Sequence, residues 1–294
     1  MKLGYIIPNN QGVEDVQTLV DLAVAAEGAG YNSVWVSEHL FHSTYVAKRL
    51  GDKPYHDPLT VLTATACATS TVRLGTSVLV LPWHHPVRLG KAVATLDHLS
   101  GGRVDLGVGV AITKDEFENL GVDFKSRGRR TDDILSALQA LWYQDVPEHL
   151  GEFYQFSGQR FEPKPKQSPL PIHIGGGGAV ALRRVARYGQ GWHTLFKSPQ
   201  ELAADMTTLR GLMQAEGRSV DDLHVSIRCV LSFVDEPSGK PAEERRTLKG
   251  TPDEVRAVIQ AYAAAGLNEL VIDPDSRDVR YNRESVQRVM ALME

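Results

Sequence analysis

Two cysteines, Cys67 and Cys229, are all that the 294 residues contain. That excludes a disulfide framework and a zinc ribbon. Each sits in an apolar run, so both are expected to be buried free thiols. Long hydrophobic stretches are missing too: no run of apolar residues is long enough to span a bilayer. The N-terminal MKLGYIIPNN has a single lysine and a short apolar segment ended by Pro8, which reads as a strand and not as a signal peptide. Charge of one sign is scarce, with 32 basic against 36 acidic residues and a net charge of −4. No partnership with nucleic acid or an anionic membrane surface is expected from that balance. Histidines are present at positions 39, 42, 56, 84 and 85, but the first strand lacks a His pair and no ligand spacing appears, so no metal site is expected. What remains is a soluble, cytoplasmic globular protein; 42% hydrophobic and 23% charged residues suit one large core.

Short apolar runs rich in β-branched residues alternate with longer segments of helical period. Strands are expected at Leu3–Ile7, Ser33–Val36, Leu74–Leu81, Val104–Val110, Ile172–Gly175, Gly191–Thr194, Val225–Phe233 and Glu269–Asp273. Helices are expected at Val16–Ala29, Leu59–Thr69, Pro86–Leu99, Thr131–Trp142, Ala179–Tyr188, Pro199–Glu216, Pro252–Ala265 and Asn282–Met293. Thr251-Pro252-Asp253-Glu254 reads as an N-cap, a first-turn proline and two acids on the helix dipole. Gly30 and Gly266 stand where helices should stop. Eight strand–helix units predict a single-domain (β/α)8 barrel over residues 1–294; an open doubly wound sheet is the competing architecture. Residues 144–170 suggest a hairpin and a Pro-rich return, and residues 235–250 a polar, mobile insertion.

In such barrels the site gathers at the carboxyl ends of the strands. The candidates there are Pro8–Asn10, Ser37–His39, Pro82–His85, Val110–Ala111, the run Gly175–Gly178, and Asp273–Asp275. The four glycines fall between a strand and a helix, where backbone N–H groups and the helix N-terminus can hold a phosphate. Arg183, Arg184 and Arg187 on the next helix add positive charge; the competing reading is a tight strand-to-helix turn. No Gly-Lys-Ser/Thr follows, so this is not a Walker loop. Gly107 and Gly109 in LGVGVA lack the third glycine of a dinucleotide fingerprint. Trp83, His84 and His85 end the third strand, where a ring wall or packing corner before Pro86 is one reading and a role in the site the other. Arg127, Arg129 and Arg130 could reach a cofactor tail or make helix-start salt bridges, and Asp132 and Asp133 suit the same helix dipole.

Several stretches resemble the luciferase-like family of flavin- and deazaflavin-dependent oxidoreductases. They are GYNSVWVSEHL (30–40), residues 55–110, DEFENLGVDFKSRGRRTDDIL (115–135), PIHIGGGGAVALRRVARYGQGW (171–192) and GTPDEVRAVIQAYAAAGLNELVI (250–272). Within the family the pair Glu38-His39 resembles the branch that uses coenzyme F420, a 5-deazaflavin. The resemblance implies that His39 lies beside the hydride-carrying carbon and that Glu38 holds that histidine or touches the cofactor. It implies a cis peptide at Ser77–Val78 propping the back of the ring. It also implies the cofactor phosphate at Gly175, Gly176, Gly177 and Gly178, and a homodimer formed through early helices around LTVLTATACATS; Val110 and Ala111, at the carboxyl end of the fourth strand, are further cofactor-binding candidates.

Departures limit what can be carried over. Sugar-phosphate dehydrogenases of that branch have a catalytic Glu just after strand four, where this chain has Ile112 and Thr113; Asp115 and Glu116 follow and are expected to open a helix. A tryptophan common after that strand is also missing. The resemblance implies hydride transfer between F420 and an unidentified small organic substrate. A monooxygenase using reduced FMN and oxygen is the alternative, and a non-catalytic flavin-binding protein a third.

Overall fold

The computed structural model describes residues 1–292. Eight parallel strands form its centre: β1 (Lys2–Ile6), β2 (Ser33–Val36), β3 (Arg73–Thr76), β4 (Val104–Gly109), β5 (Ile172–Gly175), β6 (Gly191–Leu195), β7 (His224–Phe233) and β8 (Glu269–Asp273). Each pairs with the next, and β8 returns to β1 in the register Leu3↔Leu270 and Tyr5↔Ile272. That last ladder, with β6 on β7, closes the sheet and rules out the open doubly wound alternative. The strands read as apolar runs because nearly every residue in them is buried.

The third expected strand is interrupted. β3 stops at Thr76, the Ser77–Val78 peptide is cis, and Leu79–Val80 resumes pairing on β4 in the register Leu79↔Val108. A 3-10 turn, Leu81–Trp83, follows.

The helices are α1 (Val16–Gly28), α2 (Thr44–Leu50), α3 (Pro58–Ala68), α4 (Pro86–Leu99), α5 (Lys114–Asn119), α6 (Arg127–Tyr143), α7 (Ala179–Tyr188), α8 (Pro199–Ala215), α9 (Pro252–Ala264) and α10 (Val279–Ala291). None of the described helices is long and apolar enough to cross a membrane. Helix α9 opens with a full capping box between Thr251 and Glu254. Gly30 and Gly266 have φ of +89° and +87°, the left-handed conformation that ends a helix with least strain in glycine. Helix α6 starts four residues before the expected Thr131: Arg127 stacks on Phe124 and Arg130 on Phe153, so cationic side chains supply contacts that apolar periodicity does not register. Helix α10 starts at Val279, where the Asp278 side chain caps it; the Met293 end of the expected helix lies outside the described residues.

The residues 144–170 carry the expected hairpin, His149–Leu150 against Gln155–Phe156. The polar insertion adds Leu248–Gly250 alongside the end of β7. Cys229 is buried, but Cys67 is exposed, contrary to the sequence expectation. Helix α3 turns Val61, Leu62, Thr65 and Ala66 inward, and Cys67 falls on the other face.

Inside the barrel, Gly4 and Gly75 leave room for the Trp35 indole: a Cβ on Gly4 would lie 2.9 Å from its Nε1, and one on Gly75 would overlap its six-membered ring. Trp35 stacks on His193, with centroids 4.6 Å apart. His193 is held at both nitrogens, 2.8 Å from Ser226 Oγ and 2.8 Å from Ser77 Oγ. Burial pushes this imidazole well below its ordinary value, so it is neutral. The layer Trp35–His193–Ser77 forms the floor under the mouth.

Candidate functional site

Asn9, in the loop after β1, fixes the carboxyl end of β2. Its Oδ1 accepts the Ser37 N–H at 3.0 Å and its Nδ2 donates to the Ser37 and His56 carbonyls at 2.8 Å each. From that clamp the next two side chains diverge. Glu38 turns toward the resumed third strand, where Oε2 accepts the Val80 N–H at 2.6 Å and Oε1 lies 2.8 Å from His84 Nε2. His39 turns the other way, with Nδ1 2.6 Å from Oε2 of Glu116 on α5. Glu38 therefore does not hold His39, one of the two roles the resemblance implied for it; its oxygens are taken by Val80, two residues past the cis peptide, and by His84. The packing-corner reading of His84 applies.

Glu116 is the residue the sequence reading passed over as a helix-opening acid. Its carboxylate also accepts the N–H groups of Leu40 and Phe41 and the Thr113 hydroxyl. Burial pushes this carboxyl upward, but the His39 hydrogen bond and charge, with Thr113 and the backbone donors, outweigh it and hold it below the ordinary glutamate value. An acid followed by Phe one position on, opening a short helix after β4, is the only local signal, and many surface helices share it.

Aromatic rings surround His39: centroids of Tyr45, Tyr55 and Trp83 lie 6.0, 5.6 and 6.1 Å from it. Ile112, three residues past the end of β4, is 89% exposed. The other histidines are engaged separately, His42 with the Lys53 carbonyl and His56 with the Val13 carbonyl. Among the described residues no group of three or more His, Cys, Asp or Glu side chains is arranged to hold a metal ion.

The cis peptide is packed by glycines on the neighbouring strands. A Cβ on Gly109 would meet Val78 Cγ2 at 2.7 Å, and one on Gly175 would meet Val78 Cγ1 at 3.1 Å. On Gly107 it would overlap the Thr76 carbonyl. At the end of β4, Val110 is half-buried and Ala111 adopts φ +53°, a left-handed conformation unusual without glycine.

Three glycines of the run have a physical reason of their own, and the fourth has none. Gly175 ends β5 against Val78. Gly176 has φ +98°, and its carbonyl accepts the Trp192 indole N–H at 2.6 Å. Gly177 lies on Lys197, whose Cε a Cβ there would overlap, and Gly178 opens α7 with no side-chain cap and open space around it. The first-turn N–H groups of α7 are thus left without a side-chain partner. Thr194 Oγ1, 3.4 Å from where a Gly177 Cβ would stand, is buried with no hydrogen bond.

The cation at this loop is Lys197, 2.6 Å from Asp205, and not the arginines of α7. Arg184 is buried against Asp132 at 2.6 Å, while Arg183 and Arg187 are exposed. β5 and β6 are neighbours in the register Gly175↔His193, which brings the residue after β6 beside the residues after β5. Arg129 pairs with Glu152 and Arg130 donates to the Tyr154 hydroxyl, so salt bridges and hairpin contacts occupy that cluster. Asp132 and Asp133 do not serve a helix dipole either: the second accepts from His149 and from the N–H groups of Phe153 and Tyr154, fastening the hairpin.

The family model described as luciferase-like monooxygenase matches residues 1–238. An uncharacterised protein of Mycobacterium tuberculosis is 32% identical over 227 residues, 73% of this chain and 78% of its own. An F420-dependent glucose-6-phosphate dehydrogenase of Amycolatopsis mediterranei is 29% identical over 95% of this chain and 94% of its own. Among solved structures, an F420-dependent secondary alcohol dehydrogenase in complex with an F420–acetone adduct superposes with a TM-score of 0.84 at 17% identity, covering 100% of this chain and 99% of the other. A monooxygenase from Streptomyces bottropensis does so with 0.82 at 22%, covering 100% of both chains. The chain belongs to the luciferase-like monooxygenase family.

Proposed function

We propose that the protein is an F420-dependent oxidoreductase that transfers a hydride between the deazaflavin and a small organic substrate. The observation that carries this reading is the convergence on one mouth of His39, the Val78 bulge and a glycine loop with unclaimed donors. The residues fit the cofactor. The first-turn N–H groups after Gly178, the orphaned Thr194 hydroxyl and the Lys197 ammonium form a cradle for its phosphate. Val78, seated in the space that Gly109 and Gly175 leave, supports the back of the ring, with Ser77 below and Val110 and Ala111 at its edge.

The deazaflavin supplies a two-electron hydride carrier, with carbon in place of the reactive ring nitrogen of a flavin. The chain supplies positioning and proton handling. His39 gives or takes the substrate proton at Nε2, the nitrogen left free by Glu116. The aromatic rings around it limit water at the reacting centre. Glu38 acts through the backbone, holding Val80 and His84 so that the bulge keeps its shape.

That same aromatic shell favours a second reading, a reduced-FMN monooxygenase, in which the loop takes the FMN phosphate. Titrating the purified protein with F420 and with FMN separates the two. Tighter binding of F420, with no oxygen consumed beyond the protein-free autoxidation of reduced FMN, is the expected result; the reverse would replace the proposal with the monooxygenase. The protein works as a homodimer in the cytoplasm. The outer face of α3, with Thr63, Ala64, Cys67 and Ala68 exposed, carries small residues and no charge. Sedimentation at micromolar concentration should find no monomer.

A further inference from the structure

His39 and Glu116 are 77 residues apart in sequence and 2.6 Å apart in the fold. We propose that Glu116 is the positioning residue of the site: its carboxylate fixes the tautomer of His39, so that a neutral ring carries its proton on Nδ1 and offers the Nε2 lone pair to the mouth. This rests on reading His39 as the proton-handling group of the proposed reaction.

The argument is one of donor and acceptor bookkeeping. The Glu116 side chain is fully buried, yet four donors converge on it. Oε1 accepts the N–H groups of Leu40 at 3.0 Å and Phe41 at 3.3 Å; Oε2 accepts the Thr113 hydroxyl at 2.8 Å and faces His39 Nδ1. An ionised carboxylate has no proton to give, so the ring nitrogen opposite must donate. The short separation suits a hydrogen bond to a charged acceptor. Once Nδ1 carries the proton, the neutral ring can only accept at Nε2. Aromatic rings flank His39 but none offers Nδ1 a second acceptor.

A purely structural role would rest on the other oxygen. Through Oε1 the residue ties the loop after β2 to α5, and Asp115 makes a parallel tie by accepting the Thr44 N–H at 2.8 Å. The two roles can be pulled apart. In Glu116→Gln, the amide oxygen can keep the Leu40 and Phe41 contacts while the amide NH2 faces His39. That group can only donate, so Nδ1 must accept and the proton moves to Nε2. Asp115→Ala loosens the loop without touching the histidine.

The test is the 15N spectrum of the His39 ring in the cofactor-free protein, at a pH where the ring is neutral. Wild type should show the Nδ1–H tautomer, Glu116→Gln the Nε2–H tautomer, and Asp115→Ala the wild-type pattern. With F420 added, Glu116→Gln should bind it with an affinity close to wild type but turn over on the order of a hundredfold more slowly. A wild-type ring protonated on Nε2, or a Glu116→Gln ring that keeps its proton on Nδ1, would overturn the proposal, and the first of these needs no variant to fold. The tautomer is read without cofactor, so failure to bind F420 would count against the cofactor assignment and not against the role of Glu116.

Discussion

His84 Nε2 sits 2.8 Å from Oε1 of Glu38, whose other oxygen takes the Val80 N–H, and both side chains are largely enclosed. Burial pushes the imidazole down, but the hydrogen bond and charge of Glu38 outweigh it and raise His84 above its ordinary 6.5. A raised folded value means the native state keeps a proton that the unfolded chain releases near 6.5. The contribution is therefore fully present below that pH and is lost as pH rises through the folded value. Denaturant midpoints measured across this window should fall with rising pH in wild type and fall less steeply in His84→Gln. Equal slopes in the two proteins would show that the pair does not couple folding to the proton.

The glycine run yields two substitutions with opposite expectations. Gly177→Val drives a branched side chain into Lys197, a flexible neighbour that can swing aside, so the fold should survive. Lys197 and the loop would no longer form a phosphate cradle, and F420 affinity should drop at least tenfold, about 1.4 kcal/mol. Gly178→Ala meets no atom within 4 Å and has φ −93°, so it should fold and melt like wild type. Wild-type affinity in Gly177→Val, measured by titration, would reduce the run to a turn.

The barrel floor gives a stability prediction. Gly75→Ala places a methyl into the Trp35 ring, which is fully buried and stacked on His193. Overpacking of a rigid aromatic typically costs about 1–3 kcal/mol, which for a chain of this size lowers Tm by roughly 2–5 °C. Calorimetry of the variant checks this; an unchanged Tm would mean that the indole has another place to go.

What could be read from the sequence divides along physical lines. Parallel strands buried on both faces leave continuous apolar runs, so their positions along the chain were legible; the carboxyl-end rule then put His39 and the glycines among the candidates, while Ser77 came only with the family resemblance. Other features carry no periodic signal. Helix α2, TYVAKRL, buries only Val46 and Leu50, too little for a stripe. The inward layer of Arg73, Asp105 and His173 is charged inside a barrel: Arg73 Nη2 lies 2.6 Å from Asp105 and His173 3.4 Å. Only the paired geometry makes such burial tolerable. Glu116 and Lys197 were missed for a third reason. Each acts through a partner on another strand–helix unit, His39 for one and Gly177 for the other, and spacing along the chain does not encode which loops meet above the barrel.

The sharpest functional prediction concerns His39. Its side chain is 20% exposed at the mouth, so truncation to alanine opens space that water can fill without creating a buried cavity. Glu116 would lose one of its donors and keep Thr113, Leu40 and Phe41, so the loop should hold. Nothing in the glycine cradle touches His39. His39→Ala should therefore bind F420 with nearly wild-type affinity while hydride transfer slows by roughly a hundredfold or more, the usual span for a lost proton-transfer group. Single-turnover kinetics beside an equilibrium titration separate the two quantities. Affinity falling in step with rate would make His39 a binding residue, and the proton-handling assignment would have to be given up.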